Sequence, residues 1–435
     1  MEDGNKNFVD AYNDFSALMS QNSGMSTRKK VLLAEALDSS NQDETTTNEY
    51  KTFHHGLNYT DIAELTQWSS VTIKKKLDAL IDLPSDHPHK IHDEEFKKLG
   101  RGWTFTRTAV YKFFDFYQIL MSHSMLNPGH KAEIINVENH KGGVGKTIIA
   151  SHIAVNLALK ISKRYKILLI DLDPQGSLRH FFNSDLAQKS DSDEIFSAAD
   201  IMLEYGFDAY KDMAESEAEL LEYRRDFIFS NAIQDTYLTN LKTIVAFPED
   251  IEYNAKAWSR TLVGDMTPAT DLYERVIKPI ENDFDFIIID TGPHQDPLAW
   301  TALWAQTALI IPCTPKPLDM HSTSNFIESL PKFFKNAPVK TRPEKMSKLV
   351  FTLVDGTNPK HSDYRTKTNM NLGSKYSFMP FIPEARCFEN ASKQSSTIYE
   401  LPTAKSQTYV NICKASLDHI VSDIEYICLN DIKNN

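Results

Sequence analysis

Glu133-Ile-Ile-Asn-Val137 runs into Asn139-His-Lys141-Gly-Gly-Val-Gly-Lys146-Thr147, and a helical pattern follows from Ile148 to Leu159. Strand, glycine-rich loop and helix, in that order, are the context a phosphate-binding loop requires. Glycines let backbone N–H groups turn inward on phosphate oxygens, and the helix start adds the positive end of its dipole. In such a loop Lys146 reaches the β- and γ-phosphates and the Thr147 hydroxyl ligates Mg2+. Lys141, Gly142, Gly143, Val144, Gly145, Lys146, Thr147 and Ile148 are therefore the expected lining of a nucleotide site. The strict loop spacing is not met, because His140 stands where its first glycine belongs. In its place a second lysine, Lys141, opens the loop.

Working outward, short β-branched runs alternate with helical patterns: Lys166 to Ile170, Phe286 to Ile289, Ala308 to Ile311 and Lys348 to Leu353. Apolar strands without polar alternation belong in a parallel sheet covered on both faces. The expected class is α/β, a doubly wound, mostly parallel sheet. Two strands end in acids, at Asp171-Leu-Asp173-Pro-Gln-Gly176 and at Asp290-Thr-Gly-Pro293. In a doubly wound sheet these ends converge on one crevice, where carboxylates support a Mg2+ shell or orient water.

The 435 residues exceed one ordinary core, so two or three domains are expected. We read an arm and linker over 1–56, a small unit over 57–130, and the main domain over 131–435. An acidic helical insertion, read as a solvated lobe, interrupts the last at about 183–226. With 41% hydrophobic and 24% charged residues the composition is that of a soluble globular chain. No apolar run is long enough to span a membrane, and Met1 to Ser20 has no apolar signal core. Cys313, Cys387, Cys413 and Cys428 form no paired motif, so reduced structural thiols are expected.

A net charge of −12 argues against a generally basic surface, but a local patch can still bind nucleic acid. Tyr59 to Thr66, Gln67-Trp-Ser-Ser70 and Val71 to Leu80 read as helix, tight turn, helix. Ile62, Ala63, Leu65, Val71, Ile73, Leu77 and Leu80 are the expected shared core. This is the pattern of a helix-turn-helix, whose second helix enters the major groove. Ser70, Thr72, Lys74, Lys75 and Lys76 are its polar positions, and Arg101 to Arg107 follows as a wing with both arginines at phosphates. A second basic cluster contains Lys332, Lys335, Lys340 and Arg342. Contacts to phosphates alone would be salt-dependent and indifferent to sequence.

The three motifs together, KGGVGKT, DLDPQGS and IIIDTGP, resemble the ParA family of DNA-partition ATPases, within the wider group that includes MinD-like proteins. The likeness covers roughly residues 132 to 435, and the N-terminal extension is similar to that of larger plasmid-type members. It implies an ATPase that uses ATP and Mg2+ at Lys146 and Thr147. Lys141 then crosses a nucleotide-sandwich homodimer to the partner's phosphates, Asp173 positions the attacking water, and Asp171 and Asp290 support the metal. Arg386 matches the region of sequence-independent contact with double-stranded DNA. The implied cycle is cytoplasmic and nucleoid-associated: the ATP-bound dimer coats DNA, with filaments as a further expectation, and a ParB-like partner triggers hydrolysis and release. The alternative is an ATP- or ADP-tuned repressor of its own operon. Ile148 departs from the family's second hydroxyl, and Asp290-Thr-Gly-Pro293-His294 from its usual double proline. A membrane-cycling MinD-type role calls for a basic amphipathic tail, whereas Ala415 to Ile427 is acidic, so no membrane partner is expected. No cysteine lies between the two acidic motifs to serve a nitrogenase-like cluster.

Overall fold

The computed structural model describes residues 48–99, 102–182, 195–207, 214–401 and 408–430. The helical pattern near Val31, the polar linker, Arg101 and the acidic stretch 183–194 lie outside them. All described residues fall within one compact unit that begins at Asn48.

Strands β1 (Leu57–Asn58), β2 (Phe96–Leu99) and β3 (Gly102–Phe105) form an antiparallel sheet in the order β1-β3-β2. Helices Tyr59–Thr66 and Ser70–Ile81 lie between β1 and β2 in the chain. The Asn58 side chain accepts from Thr60 and Asp61 N–H and so starts the first helix. Gln67, at a left-handed φ of 58°, ends that helix, and the Ser69 hydroxyl caps the second. Ile62, Ile73, Leu77 and Leu80 are fully buried, as the pattern requires, with Ala63 and Leu65 packed beside them. Val71 departs from expectation and is 67% exposed. It is two positions from Ile73, about 200° around the helix, and so faces the opposite way.

Arg107 is also not where its charge suggested. It opens helix Arg107–Phe116 but is buried, donating to the Ala158 carbonyl at 2.9 Å and the Leu159 carbonyl at 2.6 Å. These are the last carbonyls of helix Lys146–Leu159, which have no intrahelical partners and attract a cation. A phosphate contact is therefore corrected to a helix cap between the N-terminal three-stranded element and the main sheet. Arg107→Ala should cost about 2–3 kcal/mol in urea denaturation, the range for a broken buried charged network. It should leave the salt slope of any DNA binding unchanged, whereas loss of a phosphate contact would lower that slope by about one.

The main sheet comprises β4 (Glu133–Val137), β5 (Ile167–Asp171), β6 (Gln234–Asp235), β7 (Leu241–Ile244), β8 (Phe286–Asp290), β9 (Ala308–Cys313) and β10 (Met346–Phe351). Its order is β10-β9-β4-β8-β5-β7-β6, parallel throughout except for the antiparallel β6 edge. Every position of β4, β5, β8 and β9 is buried. Alternate residues divide between two cores, since Ile135, Leu169 and Ile288 pack on one face while Ile134, Leu168 and Ile287 pack on the other. Strand β7 escaped the sequence reading because Lys242 and Thr243 break its apolar run.

Helices Ala198–Met202 and Glu217–Asn231 lie in the segment read as a solvated insertion, and they are not merely solvated. Ile201, Met202, Phe227 and Ile228 join the core on the second face. The C-terminal helix Thr408–Leu429 buries Cys413, Leu417, Ile420, Val421 and Ile424 in the first core, beside helix Lys146–Leu159. Its apolar stripe is thus covered by protein. No helix among the described residues is long and apolar enough to cross a membrane.

Candidate functional site

The loop between β4 and helix Lys146–Leu159 is held from outside before any ligand arrives. The Asn139 amide donates to the Pro312 carbonyl and the Thr323 hydroxyl, each at 2.8 Å, while its oxygen accepts from Lys141 N–H at 3.1 Å. From just past β10, the Thr352 hydroxyl donates to the Val144 carbonyl at 2.8 Å. Gly143 and Gly145 take left-handed φ values of 74° and 87°, which only glycine adopts at little cost. The turn leaves Gly142 and Gly143 exposed and puts the buried side chain of Lys146 at the first residue of the helix.

Strand pairing sets the acids beside that lysine. Asp171 and Asp290 are direct partners across β5 and β8. Asp290 is fully buried, and burial pushes its carboxyl up to about 7 while the nearby Thr147 hydroxyl and Lys146 ammonium pull it back. Neither of its oxygens has a partner in full hydrogen-bond geometry. An orphaned buried carboxylate beside a threonine hydroxyl fits a hydrated divalent cation such as Mg2+, which Thr147 and Asp290 would hold. Asp171, expected in the same role, already spends both oxygens on the backbone. It accepts from Asp173 N–H at 3.0 Å and Leu178 N–H at 3.2 Å, so its first task is to shape the turn. Asp173 is oriented by Gln175 N–H at 3.0 Å and faces Gly292, where even a Cβ would approach its carboxylate to 3.5 Å.

Glu138 was not among the expected residues, although an acid directly between strand and loop was the available signal. It is wholly buried, accepts from the Asn136 amide at 2.8 Å, and is pushed up to about 8 by burial. Burial and Lys146 hold His140 down near 4. Burial lowers Lys146 as well, against the pull of Asp290, Asp173 and Glu138. Glu138 and Asp290 bind protons more tightly folded than unfolded. The stability they contribute is therefore full below their unfolded values near 4 and is lost as pH rises through about 7 and 8. Between pH 7 and 8.5, above the ordinary histidine range, chemical denaturation of the ligand-free protein should register a loss of roughly 1–2 kcal/mol. Glu138→Gln should flatten most of that slope.

Lys141 extends from the loop with 42% of its side chain exposed and stands 3.5 Å from Asp319. Such a surface ion pair contributes about 0–1 kcal/mol and is readily exchanged.

The residues expected at DNA divide into two groups. Ser70, Lys74 and Lys75 are exposed on one helix, Thr72 is half-buried, and Lys76 lies over the Tyr117 ring at 3.7 Å. Lys332 and Lys335 are exposed near the end of helix Pro317–Asn336, and Arg386 is exposed at the start of helix Arg386–Lys393. Lys340 and Arg342, by contrast, face inward. Lys340 donates to the Gln306 carbonyl at 2.6 Å, and burial pushes it down to about 8. Arg342 donates to the Ala132 carbonyl at 2.6 Å and stands 3.5 Å from Glu281 and 3.7 Å from Glu133, two buried acids that require cations. Both are corrected from surface contacts to internal ones.

Residues 132–342 match the family model described as an AAA domain. A plasmid partition protein A of Escherichia coli is 29% identical over 212 residues, 47% of this chain and 48% of that protein. A virulence plasmid ParA family protein of Chlamydia psittaci is 23% identical over 286 residues, 65% of this chain and 93% of that protein. A solved partition protein shares the fold with a TM-score of 0.60 at 18% identity, over 93% of this chain and 99% of its own. The chain spans about half the length of the first curated relatives it matches. The chain is thus similar to partition proteins of the ParA family, and its residues 132–342 match an AAA domain.

Proposed function

We propose that this protein is an ATP-dependent DNA-partition ATPase. The observation that carries the reading is the convergence of Lys146, Thr147, Asp173 and the orphaned Asp290 at one end of the parallel sheet, beneath a loop already shaped for phosphate. The loop amides and Lys146 bind and orient the triphosphate of ATP, and Thr147 with Asp290 would hold Mg2+, which would supply charge neutralisation at the phosphates. Asp173, turned by Gln175 N–H, orients the attacking water. Lys141 leaves Asp319 and reaches the phosphates of a second copy, so that the homodimer closes only around nucleotide. The closed dimer binds duplex DNA without sequence preference through Lys332, Lys335 and Arg386, and a ParB-like partner stimulates hydrolysis and release. Arg386 supports this assignment, because an exposed cation at a helix N-terminus opposes the dipole.

A second reading, an ATP- or ADP-tuned repressor, is favoured by the exposed Val71 beside Ser70, Lys74 and Lys75. An apolar group among polar ones on a helix-turn-helix face suits a thymine methyl.

Binding to random duplex DNA with no nucleotide, with ADP and with a slowly hydrolysed ATP analogue tests the first reading. Tight binding with the analogue alone, absent in Lys146→Ala, is expected. Equal binding in every state would sink it, and operator-specific footprinting with ADP would put the repressor forward.

A further inference from the structure

At the opposite end of β8 from Asp290, three side chains with metal-ligand chemistry meet outside the phosphate site. Asp285 immediately precedes β8. His123 begins the short helix His123–Leu126, and His130 follows the turn at Gly129, so both lie on the segment joining the N-terminal three-stranded element to β4. One ligand atom from each of the three residues lies within 4.8 Å of the other two. Asp285 is 0% exposed, and one of its oxygens accepts Lys166 N–H at 2.7 Å. Its other oxygen is buried with no hydrogen-bond partner. Leaving a carboxylate oxygen dry and unpaired is expensive, and a cation at that point is the simplest remedy.

We infer that His123, His130 and Asp285 form a site for a divalent transition-metal ion of the zinc class. Two imidazoles and one carboxylate are a zinc donor set, with a fourth position left to water. Zinc bonds of about 2.0–2.1 Å place tetrahedral ligand atoms about 3.4 Å apart, so no pair need close by more than about 1.4 Å. His130 is only half-buried and follows a glycine turn, so it can supply that movement and also gives the ion a way in. The two rings already meet edge to face with centroids 5.0 Å apart, beside Tyr165. A bound ion would fasten the connecting segment to the base of the sheet, at the strand end farthest from the nucleotide.

The full-length chain, prepared without a histidine tag and stripped by chelation, should be titrated with Co2+ in the absence of nucleotide. One equivalent is expected, with the strong visible absorption of a low-coordinate cobalt site, displaced by Zn2+ and accompanied by a rise in Tm. His130→Ala should abolish the spectrum while circular dichroism stays native, and His123→Gln should do the same. Asp290→Asn should retain it, which separates this site from a metal at the phosphates. Absence of a stoichiometric cobalt spectrum, or one that survives in both histidine variants, would overturn the assignment.

Discussion

Asp173→Ala should lower ATP turnover by at least about 100-fold while leaving analogue-dependent DNA binding in place, the loss typical when a positioned carboxylate is removed from a proton-transfer or water-orienting role. Asp173 lies two residues beyond the end of β5, almost wholly buried, with its carboxylate fixed by Gln175 N–H. It supports neither the loop nor the strand pairing, so its loss should not disturb phosphate binding. Lys146→Ala should instead abolish both turnover and nucleotide-gated DNA binding, because that side chain serves the phosphates directly. Parallel turnover and binding measurements on the two variants separate the roles. If Asp173→Ala turned over within a few-fold of the parent, the water-positioning assignment would be wrong.

Gly176→Ala should destabilise the fold by about 3 kcal/mol or more. Gly176 has φ of 61°, a left-handed conformation that costs an alanine about 1–2 kcal/mol. Its new Cβ would also lie 2.7 Å from the Ala246 carbonyl oxygen and 2.6–2.7 Å from the Arg179 guanidinium. The carbonyl is backbone and cannot swing aside, and Arg179 is itself buried over the Phe247 ring. Strain of this kind belongs to the short list of mechanisms behind large single-residue effects. Turnover should fall as well, because Gly176 N–H closes the turn onto the Asp173 carbonyl at 2.8 Å. Urea denaturation gives the answer, and a shift below about 1 kcal/mol would mean that the turn relaxes freely.

The sequence announced the phosphate loop and its acids because each motif is local: a strand, its last residue and the turn after it are consecutive. The same locality made the two consecutive helices legible and allowed Ile62, Ile73, Leu77 and Leu80 to be assigned inward. Val71 failed because an apolar residue in a helix's first turn was counted by type, not by angle. The basic residues failed for a different reason. Arg107, Lys340 and Arg342 are committed to carbonyls or acids at Ala158, Gln306, Ala132 and Glu281, most of them far away in the chain, and charge alone does not reveal a distant partner. Asp171 and Asp290 looked equivalent at strand ends. Only the backbone N–H groups that hold both oxygens of the first in full hydrogen-bond geometry, where the second has none so held, distinguish them.

The anchorage of Arg107 makes helix Lys146–Leu159 a mechanical part. Its first residue lies at the phosphate loop, and its last two carbonyls are bolted to the N-terminal three-stranded element by one guanidinium. Its 14 residues form a rod about 21 Å long, buried over most of its circumference and unable to bend without opening the core. A rod of that stiffness turns as a whole. A tilt imposed at one end would swing the other through the same angle, so the end of the rod at the phosphate loop and the end held by Arg107 would move together.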